Sequence, residues 1–148
     1  MDDAPLLARP LRIIWLAVCA SAAIALGVMG GLAVQAGQHA LAEHAEGAFY
    51  VVALIGTAGT VGAFALLQRM ERRLLRAASD AEAERAIQLN GVAALAAAEV
   101  PALAAATAAI LTGDLLVLAF GVPLFAFAAL TWPSDDRVRG WLALRHVG

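Results

Sequence analysis

There is no lysine in this 148-residue chain, and it holds a single cysteine and a single tyrosine. Each shortage removes a class of protein. One cysteine, Cys19, cannot form an intramolecular disulfide, and its place in an apolar run leaves no CxxC-type metal motif. The three histidines, His39, His44 and His146, all fall outside the apolar runs. A haem bundle, which needs paired inward histidines, is not expected. Charged residues make up 15% of the chain, and no nucleophile–base pair or metal cluster is visible, so an enzyme is not expected either. Every basic residue is arginine; with the abundant alanine, this composition resembles that of a GC-rich bacterial genome.

What remains is apolar. Hydrophobic residues account for 62% of the chain, and mean hydropathy is +0.80. Soluble domains are nearer 45–50% apolar, so the composition reads as an integral membrane protein in contact with the lipid bilayer. At roughly 20 residues per spanning helix, about four spans fit, with no room for a soluble catalytic domain. The expected fold is all-α: a single transmembrane four-helix bundle with spans near 13–34, 48–67, 86–111 and 115–132, and an amphipathic tail over 134–145.

The first run, Ile13 to Val34, follows a short polar start with Asp2, Asp3 and Arg9. Arg9 and Arg12 suit a signal-peptide n-region, and Ala40-Leu41-Ala42 offers a cleavage pattern. The run exceeds the 7–15 residues of a signal core, so it reads as a retained span. Within it Gly27 and Gly31 form GxxxG, a pattern for close helix contact. The connector Gln35 to Gly47 carries His39, Glu43, His44 and Glu46. No third ligand is defined at metal-binding spacing, and a solvated loop is expected. The second span holds Gly56, Thr57, Gly59 and Thr60, a small, weakly polar middle for helix packing.

The segment Gln68 to Arg85 concentrates Arg69, Arg72, Arg73, Arg76 and Arg85 on a helical pattern that continues the second span. The cluster could bind anionic lipid or nucleic acid, but it reads first as a cytoplasmic topology signal. Ser79 and Glu82 form a capping box that opens the third helix. Gly113 ends that helix and Asp114 caps the next. Gly121 and Pro123 predict a kink in the fourth span. Ser134 is expected to cap a short helix whose Val138, Trp141 and Leu142 share one face, suited to lie on a membrane surface. All ten arginines fall at the termini or in the middle loop, which places both ends in the cytoplasm. Trp15, Trp132 and Trp141 then share the cytoplasmic interface. The expected location is the bacterial inner membrane.

One residue breaks the apolar pattern of the third span. Glu99 lies near the middle of Gly91 to Leu111, two residues before Pro101. A carboxylate at that depth costs about 2.5–3.5 kcal/mol on insertion scales and marks a functional site by default. Pro101 has no N–H and its ring clashes with the carbonyl of Ala97, so that carbonyl loses its helical partner. Gln88 lies three turns earlier on the Glu99 side. Thr57 and Thr60, at similar depth, are candidate partners. The candidate ion-binding set is therefore Glu99, Pro101, Ala97, Thr57, Thr60 and Gln88, with no cofactor. Gly27, Gly31, Gly56 and Gly59 form the candidate packing set. The alternative is a non-catalytic structural or assembly subunit, in which Glu99 is interhelical hydrogen-bonding glue. A homo-oligomer or a membrane-complex partner suits either reading.

Glu99-Val100-Pro101-Ala102-Leu103 resembles the proton-binding helix of rotary ATPase proteolipid (c-type) subunits. The Thr/Gly-rich span before it and the arginine-rich loop extend the likeness over Ala48 to Leu111. The whole chain, with its Thr112-Gly113-Asp114 turn and its Trp132 to Val138 ending, is similar to small four-span bacterial membrane proteins that share the motif. The resemblance implies a proton- or cation-carrying carboxyl at Glu99. It does not imply a rotor, because extra spans flank the hairpin on both sides.

Overall fold

The computed structural model describes residues 4–36 and 39–144. Asp2, Asp3, Arg145 and His146, and part of the connector after the first span, lie outside them. Every element is helical: α1 (Ala4–Gln35), a 3-10 turn (Ala42–His44), α2 (Ala45–Leu74), α3 (Asp80–Thr112), a 3-10 segment (Leu115–Gly121), α4 (Val122–Leu130) and α5 (Asp135–Ala143). Three helices, α1, α2 and α3, are long and apolar enough to cross a membrane. There are four if the bent pair Leu115–Leu130 and Asp135–Ala143 counts as one.

The helix ends follow from local chemistry. Ser79 accepts from the N–H of Glu82 at 3.2 Å, and the Glu82 carboxylate accepts from the N–H of Ala78 at 3.0 Å. The first bond satisfies an N–H that the first turn of α3 leaves without an intrahelical partner, and the second fixes the chain just before the cap. Gly113 closes α3 at φ 75°, a left-handed conformation that favours glycine. Asp114 and Ser134 cap the next elements through the N–H groups of Leu116 and Arg137.

α3 is the central helix. Of its most apolar window 44% is buried, against 17% for α1 and for α2. Its inward residues are mostly small: Ala94, Ala98, Ala102, Ala105 and Ala109 are all buried, beside Ile87 and Leu95. Many large apolar side chains point outward, with Leu6, Leu54 and Leu116 each more than 70% exposed, while Trp15, Leu11, Met70, Leu74 and Leu124 are buried. So many exposed large apolar side chains, around a central helix packed largely through alanine, suit hydrocarbon surroundings.

The fourth apolar segment departs from a kinked α-helix. Its first seven residues are 3-10, and the α-helix begins at Val122 with Pro123 in its first turn, where the missing N–H has no intrahelical partner to lose. A 3-10 helix rises about 2.0 Å per residue against 1.5 Å for an α-helix. Leu115–Leu130 therefore reaches about 27 Å, close to the thickness of a bilayer core of about 30 Å.

The last helix also differs in what it touches. α5 turns by 73° from the preceding segment. Val138 is fully buried, and Trp141 and Leu142 pack on the cluster that includes Leu7, Leu11, Met70 and Leu74. Its apolar stripe thus covers the bundle end rather than an open surface. Arg12 anchors it, donating to the Pro133 carbonyl at 3.0 Å and to the Asp135 carboxylate at 2.7 Å. The beginning of α1, the α2–α3 connection and α5 consequently meet at one end of the molecule. That end carries all the described arginines. Trp15 belongs there too, but as a core residue: it is fully buried, with its indole N–H 3.4 Å from the Thr131 hydroxyl. Trp132, at 36% exposure, is the better placed of the two to act as an interfacial side chain.

Candidate functional site at the contact of α1 and α3

Glu99 is partly buried on the side of α3 that meets α1. It lies about 20 Å along the helix from Thr112 and a similar distance from Arg85, so it is midway between the two ends. Its Oε1 accepts a hydrogen bond from the Ser21 hydroxyl at 2.6 Å. The same hydroxyl is 3.0 Å from the carbonyl oxygen of Val18, one turn earlier in α1. No ion pair to Glu99 is found among the described residues. The carboxyl therefore has one hydrogen-bonding neighbour of its own size and no countercharge.

The other residues expected around Glu99 divide between different surfaces. Pro101 is 200° around the helix from Glu99 and is buried against α2. There it meets Gly59. A methyl group added at Gly59 would lie 2.8 Å from the Ala97 carbonyl oxygen and 2.8 Å from Cγ of Pro101. The glycine hydrogen in that position thus points at the carbonyl that Pro101 deprives of its helical donor. A Cα–H to carbonyl contact of this kind gives the freed oxygen a weak partner. Ala97 and Pro101 belong to the α2 contact, not to the carboxyl.

Thr57 and Thr60 do not reach Glu99. Their hydroxyls donate to the carbonyls of Ala53 and Gly56 in their own helix, both at 2.9 Å. Gln88 is exposed, with no hydrogen bond to Glu99. Asn90 is the buried amide at that end, and it donates to the Ala86 carbonyl at 2.7 Å. Of the six residues proposed from sequence, only Glu99 stays in the polar site. Ser21 enters in place of the threonines. A signal for it was present: Ser21 is the one hydroxyl in the first apolar run.

The four glycines also separate. Gly56 and Gly59 lie against Pro101, and Gly56 also faces Phe120. Gly27 and Gly31 have open space where a side chain would be. Gly30 makes the close contact of α1 instead, with Leu118 3.0 Å from where its Cβ would lie.

Metal binding finds no cluster of three ligands among the described residues. His39 packs over Gly113, with its Nδ1 3.3 Å from the Ile110 carbonyl, and Leu41 N–H donates to the Leu111 carbonyl at 2.9 Å. The expected solvated connector is thus tied at these points to the end of α3. Compared with known protein families, curated proteins and solved structures, the chain matches none of them.

Proposed function

We propose that this is a small polytopic membrane protein whose Glu99 takes up and releases a proton at mid-depth, with the arginine-bearing end in the cytoplasm. The reading agrees with the likeness of Glu99 to Leu103 to the c-type proteolipid helix. The observation that carries it is the Ser21 hydroxyl, set between the Glu99 carboxyl and the Val18 carbonyl.

A hydroxyl has one proton to donate and lone pairs to accept with. When Glu99 is ionised, Ser21 donates to its Oε1. When Glu99 is protonated, its O–H donates to Ser21 Oγ and the Ser21 proton turns to Val18. Rotation of one hydroxyl keeps every polar group hydrogen-bonded in both states, with no helix movement. A hard metal cation needs about six to eight oxygen ligands, or six in strict octahedral array. Here a carboxylate and one hydroxyl converge, and the Ala97 carbonyl is on the α2 side. The set fits a proton better than a metal cation.

The test is labelling of the purified protein by a carbodiimide that attacks protonated carboxyls, across a pH series. Wild type should be modified at Glu99 with a titrating rate. Glu99→Gln should fold, bind no label and lose the matching pH-dependent carboxyl band in difference infrared spectra. Absence of labelling in wild type at every pH would remove the proposal.

A structural reading has its own support, because the same hydrogen bond ties α1 to α3. In a non-catalytic assembly subunit Glu99 would act as glue. Glutamine can also accept from Ser21, so this reading expects Glu99→Gln to be functionally silent and to leave folding and assembly unchanged.

A further inference from the structure

We propose a second site, for the phosphate of an anionic phospholipid, in the cleft between the last turns of α2 and the first turns of α3. The proposal rests on the membrane placement given above, but not on the chemistry of Glu99.

The cleft has a volume of about 620 Å³. Arg69, Arg72 and Arg73 line it from α2, Arg76 from the turn just past that helix, and Arg85 faces them from α3. The only carboxylate in the lining is Glu82. It is already engaged with the N–H of Ala78. None of the five arginines has an ion pair or a hydrogen bond among the described residues.

Charge at this end serves topology, and cations near the end of α2 suit its dipole. Neither account explains the convergence. Arg69 and Arg73 are like charges four residues apart in α2, an arrangement that destabilises an isolated helix. A topology signal works as well with the arginines spread around the helix. Five guanidinium groups on one cleft form a site for a multidentate anion, and phosphate oxygens match the planar fork of arginine.

The floor of the cleft identifies the phosphate's carrier. Ala86 and Leu89 complete the lining. Leu89 is 59% exposed, and Ala93, Ala96, Val100 and Leu103 continue the same outward face of α3. An apolar lane thus leads from the arginines down towards the middle of the molecule. A free phosphate or nucleotide has no use for it, whereas the acyl chain of a phospholipid does. Basic pockets at the cytoplasmic ends of membrane helices are a recurring form of lipid headgroup recognition.

The experiment uses the full chain in neutral detergent. Native mass spectrometry and thermal unfolding are recorded with phosphatidylglycerol, phosphatidylcholine or inorganic pyrophosphate added. Phosphatidylglycerol should be retained and raise Tm; the other two should do neither. Arg73→Gln with Arg76→Gln should weaken phosphatidylglycerol retention at least tenfold, while Arg9→Gln, outside the cleft, should leave it unchanged. Equal retention of both lipids overturns the proposal, and this comparison needs only wild type should the double variant misfold. Equal stabilisation by pyrophosphate makes it a free-anion site and overturns the lipid assignment. An equal loss in Arg9→Gln reduces it to diffuse charge and overturns the site. Glu99→Gln should retain the lipid normally, so failure of one proposal is distinguishable from failure of the other.

Discussion

The two sides of α3 around residue 100 are built from the same kind of sequence and behave differently. Towards α2 the backbones close up: Gly59 lies against the Pro101 ring and the Ala97 carbonyl, with no space for a methyl group. Towards α1 the contact is looser and polar, made through Glu99 and Ser21, and the serine is exposed. The proline interrupts the helix on the tight side, where a glycine covers the freed carbonyl. The carboxyl lies on the loose side, where it accepts from the Ser21 hydroxyl. Break and acid thus lie on opposite faces of one helical turn, the first in a tight contact and the second in a polar one.

That contrast can be broken in order of expected effect. Gly59→Ala should be the most damaging, since the new methyl group would overlap a backbone carbonyl and a proline ring, neither of which yields easily. A loss of about 1–3 kcal/mol is expected, as for overpacking elsewhere. Unfolding in mixed micelles, followed by fluorescence of the buried Trp15, measures it. Ser21→Ala should cost less, about 0.6 kcal/mol, the average for interhelical hydrogen bonds in membranes. Gly27→Ala with Gly31→Ala should be the mildest, because both positions face open space. No stability loss is expected, and helix propensity allows a gain of up to about 1 kcal/mol per site. If copies pack through that face, cross-linking yield between copies should fall while unfolding is unchanged. A loss as large as that of Gly59→Ala would mean the two sets of glycines do not differ after all.

Much of the architecture was legible because helix ends are local. Ser79 with Glu82, Gly113, Asp114 and Ser134 each act within four residues of themselves, and each caps where its spacing predicts. The gathering of the arginines at one end was legible too, since an even number of antiparallel segments returns the chain to the same end. The direction of each polar group was not. Alanine covers nearly every face of α3, so periodicity points nowhere, and Glu99 had no marked neighbour. The threonines of α2 were chosen for depth alone, and depth does not specify which helix a face meets. In the structure both hydroxyls bond to their own backbone, a common fate of threonine in an apolar helix.

Composition and short-range spacing were enough to establish a helical chain with three or four segments long and apolar enough to span a bilayer, and to single out Glu99. Tertiary packing alone decided that Ser21 meets the carboxyl, that Gly59 covers the Ala97 carbonyl, and that five arginines share one cleft. The physical reason is range: caps and hydropathy depend on neighbours in sequence, whereas these contacts depend on how α1 and α2 rotate about their axes as they dock on α3. Side chains as small as alanine leave that rotation unwritten.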